Sequence, residues 1–574
     1  MKKTLIILLM CCVTIPWAFP VLSCTTMIAG KNATSDGSII VAHSDDNDMA
    51  DQRIVYVPAR DYPEGAMRNV YYDPCSLGAN EKYNDSWWCR YAGPDRGPAY
   101  VDLNRPQSIP LGSIPQVSHT YAYFDGDYGI MNEHQLMFGE CTDGVKTTVD
   151  PEPGKRIFYS AELSRVALER CRTARDAIRL MGELIETYGY YGTGETLPVG
   201  DTEEAWVMEM APSPSGIGGL WVAKRVPDGE IFVAANEFRI REIDPDDPDV
   251  MYSKDLHRIL QEKGWWNPAE GTLDWLKAIT QGEYNHPYYS LRRVWRLLSL
   301  IAPSRNFTPW VEDGFTKAYP FSVKPDKKLS VRDVMNLYRD HYEGTEFDMT
   351  KGIAAGPFGF PNRFYGPYES SGDVGDPTQK REGAWERPLS VVYCGYTQVC
   401  QARSRYPDPI GGIMWIGLDK PAETCFVPFY AGITAMSPLF ETCDVGVFSK
   451  KSAWWAFNFV ANWAQLKYSY MIHDIKEMQY KLETRECAAL KSMDSRAEAL
   501  YKDNPDGAVA LLTEFCVANA AAVVAEWWNF SEGLIVKYSD GFINKNRVAE
   551  RVGYPRWWRE AAGWHKGPTE YRKQ

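Results

Sequence analysis

Histidine is scarce in this chain, with 8 among 574 residues and no HExxH pattern, which disfavours zinc-dependent hydrolysis. No CxxC pair is present, so zinc-ribbon and thioredoxin-like readings are weak. No Gly-x-Ser-x-Gly elbow marks a serine hydrolase. The acidic run Asp45, Asp46 and Asp48 lacks the glycine and distal glutamate of an EF-hand loop, so neither a metal nor another cofactor is expected. Positive charge is in the minority. Lys and Arg total 62 against 75 Asp and Glu, a net charge of -13 that excludes a broad electrostatic nucleic-acid footprint. Beyond the first 23 residues no second long charge-free apolar stretch stands out, and no transmembrane segment is expected in the mature chain. Internal repeats and low-complexity tracts are absent as well.

Hydrophobic residues make up 45% and charged residues 24%, an ordinary globular balance with length enough for two or more domains. The 20 Trp and 34 Tyr point first to an aromatic-rich core. Lys2 and Lys3 precede an apolar run from Leu5 to Val13, and Pro16 and Pro20 interrupt the residues after it. Residues 1–23 therefore read as a signal peptide with Val21 and Ser23 at its cleavage site, and the protein is expected to be periplasmic or secreted. Of the 13 Cys, two leave with that leader. With Cys24 set aside as a free thiol, ten remain to pair in an oxidising compartment. Cys75/Cys89, Cys394/Cys400, Cys425/Cys443 and Cys487/Cys516 are the nearest in sequence.

Along the chain, Cys24 to Ala29 and Ile39 to Ala42 read as strands about the turn Ser35-Asp36-Gly37-Ser38, with a third strand at Arg53 to Val57. Residues 60–117 read as an irregular excursion. Strands resume at Ser118 to Phe124 and Gly129 to Thr142. Helical spacing then runs through Ser160 to Cys171 and Thr173 to Thr187, with Thr173 as N-cap. Ala205 to Met210, Gly219 to Val222 and Ile231 to Ala235 return to strand, as do Leu389 to Gln401 and Gly411 to Gly417. Ala453 to Cys487 and Gly507 to Val536 are long helical patterns. Alternating sheet and helix fits a layered α+β fold.

Cys24 carries the sharpest chemistry. A cut before it would place a thiol and a free α-amine on one residue, a nucleophile with its own base. The competing reading is a lipoprotein cysteine, since Val21-Leu22-Ser23-Cys24 loosely fits a lipobox and lipidation would block both groups. The strand-turn-strand directly after Cys24 leaves no room for a polar tether.

From Cys24 to Lys31, with Ala33 to Ser38 and His43-Ser44-Asp45-Asp46, the sequence resembles the cysteine N-terminal-nucleophile dipeptidases (the dipeptidase A and secernin group). These are distant relatives of bile salt hydrolase and penicillin V acylase. The resemblance continues through Met131-Asn132-Glu133-His134, Gly139-Glu140-Cys141-Thr142, Leu168 to Ala177 and Phe232 to Ile240. It implies an N-terminal-nucleophile αββα sandwich over 24–448, joined to a C-terminal helical region over 449–574. It further implies Cys24 as nucleophile, Asp46 as partner of the α-amine, and Asn236 as an oxyanion donor. His43 stands where acylase relatives carry Arg and would serve as a positioning hydrogen-bond donor. Glu140 is expected to face the substrate amine, and Asn132 is a second substrate-side candidate, although a turn-forming Asn suits its position. Small peptides, dipeptides above all, are the implied substrates, and a homo-oligomer stays open. The alternatives are a bile-salt or N-acyl amino-acid amide hydrolase of the same fold, and a non-catalytic surface lipoprotein lipidated at Cys24.

Overall fold

Thr25–Ala29 and Ile39–Asp45 are buried along their whole length and pair antiparallel, with Thr25 opposite Ser44 and Thr26 opposite His43. Gly37 takes φ 78° in the turn between them, a conformation glycine adopts without steric cost. The computed structural model describes residues 24–47, 51–73, 93–101, 107–216, 218–282, 289–311, 314–364 and 385–567. The leader, Asp48, and the Cys75/Cys89 pair fall outside them.

These two strands form the middle of a seven-stranded antiparallel sheet. Its order is Ser322–Val323, Ile231–Ala234, Thr25–Ala29, Ile39–Asp45, Tyr396–Ala402, Ile413–Leu418 and Val427–Tyr430. A nine-stranded sheet runs in the order Val250–Tyr252, Gly219–Val226, Ala205–Pro212, Gly194–Gly200, Met137–Phe138, Gly129–Asn132, Tyr123–Asp125 and Val55–Val57. Cys141–Asp143 pairs with Gly194–Gly200 beside that path. The two sheets touch where side chains are missing. A Cβ on Gly139 would sit 2.5 Å from Thr26 Oγ1, and one on Gly200 would sit 3.1 Å from Ile39. Gln398 Nε2 crosses the contact to donate to the Phe138 carbonyl at 2.7 Å.

Ser160–Arg170 and Ala174–Tyr188 pack on the nine-stranded sheet. Thr173 caps the second through its side chain, which accepts from Asp176 N, and the helix buries Ala174, Ala177, Ile178, Met181, Leu184 and Ile185. Those are the apolar positions the helical spacing picks out. Leu291–Ile301 and Val331–Tyr338 contact the seven-stranded sheet, and Ala453–Ala464 and Pro505–Lys537 cover its far edge strands.

Several expectations need correction. Gly129 to Thr142 breaks into three short strands, and Leu389 to Gln401 becomes strand only from Tyr396. The helical pattern from Ala453 is interrupted by a tight turn at Gln465–Lys467 before Tyr468–Tyr501 begins. Gly194–Gly200 was not anticipated at all. Its two glycines and Pro198 give poor strand propensity, yet it is buried throughout. The 33-residue helix Pro505–Lys537 is long and apolar enough to cross a membrane, which the absence of a second apolar stretch had not suggested. It packs against Tyr468–Tyr501 and Val427–Tyr430. Nine cysteines are described and all are free thiols, so Cys394/Cys400, Cys425/Cys443 and Cys487/Cys516 do not pair. For the first of these the reason is direct. Strand Tyr396–Ala402 carries Cys400 away from Cys394 at about 3.3 Å per residue, beyond disulfide reach.

Candidate active site

Cys24 sits immediately before Thr25–Ala29 and is only 2% exposed. Alternation along paired strands places it with Thr26, His43 and Asp45 on the face turned toward the second sheet. Its Sγ lies 4.0 Å from Asp45 Oδ1. Burial, then the charges of Glu140, Asp45 and Asp46, push the thiol well above its ordinary value, against the Asp46 backbone N–H that stabilises the thiolate. With Ser23 still attached, the Cys24 nitrogen is a peptide nitrogen and offers no base. The thiol therefore stays protonated.

Asp46 is fully buried and joined to Arg387 Nη2 through Oδ2 at 2.6 Å, while Oδ1 has no hydrogen-bond partner. Burial raises its carboxyl to about 6, with Arg387 and Arg293 pulling the other way. His43 Nδ1 donates to the Glu140 carbonyl at 2.7 Å, leaving Nε2 without a partner. Burial lowers this imidazole to about 4, so it is neutral and brings no positive charge to the site. It acts at most as a positioning group.

Asn236 comes just after strand Ile231–Ala234 and takes φ 65°, a left-handed conformation that Asn tolerates better than most residues. Its Oδ1 accepts from Arg293 Nη2 at 2.5 Å and its Nδ2 donates to the Thr142 carbonyl at 2.5 Å. An amide nitrogen carries two hydrogens, so one remains to donate. Glu209 steadies the next residues by accepting from Arg239 N and Ile240 N at 2.6 and 3.0 Å.

Glu140 bridges Met137–Phe138 and Cys141–Asp143. Its Oε1 accepts from Thr142 Oγ1 at 3.0 Å and Oε2 has no donor. Burial raises it to about 7, with neighbouring Glu195, Cys24 and Thr142 pulling the other way. Asn132 is different. Its amide donates to the carbonyls of Leu168 and Cys171 at 2.9 and 2.8 Å, and its Oδ1 accepts from the N–H groups of His134 and Leu136. With its hydrogen bonds turned to backbone it shapes a turn, and the substrate-side expectation for Asn132 is withdrawn.

Two residues that sequence reasoning missed hold this end together. Arg293, on Leu291–Ile301, donates from Nη1 to the Cys24 carbonyl and to Thr25 Oγ1, each at 2.8 Å, besides its bond to Asn236. Its signal was an arginine on the same helical face as Leu297 and Ile301. Arg387 donates to Asp46 and to Tyr289 Oη, and stands in a loop with no periodic signal. A metal could draw on Cys24, His43 and Glu140, whose ligand atoms lie within 4.8 Å of one another. His43 would have to offer Nε2, because Nδ1 holds the Glu140 carbonyl.

A family model described as "Peptidase family C69" matches residues 23–74 and 125–481. The chain belongs to peptidase family C69. It is thus a cysteine-type peptidase, a hydrolase. The unmatched 75–124 falls largely within the excursion set apart at 60–117. Among family C69 relatives, a probable dipeptidase of Salmonella dublin is 26% identical over 73% of this chain and 83% of its own. A probable dipeptidase of Latilactobacillus sakei is 24% identical over 83% and 89%, and dipeptidase A of Lactobacillus helveticus is 23% identical over 73% and 77%. Among solved structures, penicillin V acylase from Agrobacterium tumefaciens aligns with 71% of this chain and 86% of its own at 11% identity and a TM-score of 0.27, too low to carry the fold assignment.

Proposed function

We propose that the chain is an exported cysteine dipeptidase whose nucleophile is the Cys24 thiol, activated by the Cys24 α-amine once residues 1–23 have been cut away. The layered sheets and helices would then be the αββα sandwich of N-terminal-nucleophile hydrolases. The observation that carries the reading is the convergence on Cys24 of Asp46, Arg293 and Asn236 from three separate parts of the chain. Burial of Cys24 also speaks against lipidation, since a diacylated thiol has to leave the core for a membrane. Dipeptidase relatives from several bacteria supply the substrate class.

In the cut chain the neutral α-amine becomes an ammonium on taking the thiol proton, and that charge balances the acids around it. Asp46 Oδ1, buried and without a donor, is the acceptor that would hold it. The amine takes the thiol proton and the thiolate attacks the carbonyl of the first residue. The second hydrogen of Asn236 Nδ2, with backbone N–H groups, supports the oxyanion, and Arg293 keeps that amide turned the right way. The ammonium then returns its proton to the leaving amine. Water, deprotonated by the same amine, releases the acyl group from sulfur.

The test joins two measurements on exported protein, its N-terminal residue and its turnover of dipeptides. A mature chain beginning at Cys24 that cleaves Ala-Ala, and loses the activity on Cys24→Ser with folding intact, is the expected result. A chain retaining an extra Met ahead of Cys24 should be inactive, because its amine lies one residue away. Diacylated Cys24, or near-normal cleavage by Cys24→Ser, sinks the proposal.

A further inference from the structure

Glu195 enters none of the steps above, yet it is the acid most closely tied to Glu140. It lies on strand Gly194–Gly200, fully buried, with Oε1 accepting from Tyr159 Oη. Its Oε2, like Glu140 Oε2, has no hydrogen-bond donor. Thr142, whose hydroxyl holds Glu140, stands directly opposite Glu195 in the paired strands, which brings the two acids together. Burial raises both carboxyls and the charge of Glu140 raises Glu195 further, so Glu195 is the one that keeps its proton. Cys24, His43, Asp45, Tyr128, Cys141, Asp143, Tyr159 and Tyr190 are titratable groups around them. Among the described residues no Arg or Lys forms an ion pair with either glutamate, and the one nearby base, His43, is neutral.

A buried anion with open lone pairs and no cation is unfavourable unless a cation arrives from outside. Distance identifies which one. A Glu140 oxygen lies within 4.8 Å of Cys24 Sγ. When a dipeptide carbonyl sits about 3–3.5 Å from the nucleophile, its own α-nitrogen is two bonds, about 2.5 Å, beyond that carbon. A carboxylate at the Glu140 position is therefore within hydrogen-bond reach of the α-ammonium on the residue under attack. Asp46 is occupied otherwise, on the Arg387 side.

We propose that Glu140 and Glu195 together form the receptor for the free α-ammonium of the substrate's first residue, and that they exclude substrates whose amino group is acylated. This rests on the dipeptidase reading and adds the residues that enforce it. An N-acyl group brings neither the charge nor the three N–H donors. Bound in the same place it would leave the paired glutamates buried and uncompensated, a loss of at least about 30-fold by the usual penalty for an unpaired buried charge.

The experiment compares kcat/KM on Ala-Ala and N-acetyl-Ala-Ala for the mature enzyme and for the double variant Glu140→Gln/Glu195→Gln, which keeps shape and removes the charge. The expected result is a strong preference for Ala-Ala in the wild type that falls to within a few-fold in the variant, mostly through KM for Ala-Ala. A ratio that survives the substitutions overturns the receptor while leaving the dipeptidase standing. A wild-type enzyme that prefers N-acetyl-Ala-Ala overturns both. Calorimetric binding to mature Cys24→Ala decides the matter without touching either glutamate. Ala-Ala should bind progressively more weakly as pH falls through about 7, where Glu140 protonates, while N-acetyl-Ala-Ala, freed of the uncompensated charge, should bind more tightly. Parallel pH dependence for the two ligands overturns the proposal.

Discussion

Glu162 and Glu140 are both fully buried acids, and the molecule treats them in opposite ways. Glu162 lies on Ser160–Arg170 among Arg68, Arg96 and Arg165, with Arg68 Nη1 and Arg165 Nη1 donating to it at 3.0 and 3.2 Å. Burial alone would raise its carboxyl, but Arg96, Arg68 and Arg165 outweigh burial and hold it at about 2. Arg68 also pairs with Glu169, and Arg165 with Asp125. Around Cys24 the balance reverses. Glu140 rises to about 7, Asp45 is pushed well above its ordinary range by burial and by Asp127, and only Asp46 has an arginine partner. The first cluster is complete and structural. The second lacks that balance, and on the proposed function the cut N-terminus and the substrate would supply it.

The largest effect that separates the clusters is expected from Arg165→Met. It removes the arginine paired with Asp125 and one of the three around Glu162, and should cost about 3–5 kcal/mol in denaturant unfolding, and a loss below 1 kcal/mol would erase the distinction. Asn236→Ala should lower kcat by 10²–10³-fold, about 2.7–4 kcal/mol, with much less change in stability. A parallel collapse of the melting temperature would make Asn236 a structural residue only.

pH offers a finer separation, because the signs differ. Glu162 is depressed in the folded state, so its stabilisation is present above the ordinary 4.5 and is lost as pH falls toward 2. Asp45 is raised, so it weighs against the fold once pH climbs above the ordinary 3.8. Asp45→Asn should therefore raise the melting temperature at pH 8, and the gain should vanish near pH 3. A melting temperature that drops at pH 8 would mean Asp45 is compensated after all. The smallest expected effect is that of a chelator. Dialysis against EDTA should leave dipeptide turnover unchanged, and restoration of lost activity by zinc would assign Cys24, His43 and Glu140 to a metal instead.

The paired strands around the turn at Gly37 and the helix capped by Thr173 were legible because their periodicity and turn chemistry are local. Gly194–Gly200 was hidden by its glycines, of which Gly200 lets the two sheets meet. Arg387 was invisible because its partner Asp46 lies 341 residues away. The disulfide expectation failed for a related reason, since an even count of cysteines says nothing of where strands carry them.

The residue order by itself determined that a thiol would stand at the head of one strand, that the turn at Gly37 would lead into the strand before Asp46, and that Asn236 would follow a third. These depend on spacing along single elements, and spacing is written in the chain. Only the tertiary structure decided that Glu140 and Glu195 face each other without a cation, while Glu162 is given three arginines. Charge compensation in a buried site is set by which distant elements pack together, and burial multiplies its effect on every ionisable group there.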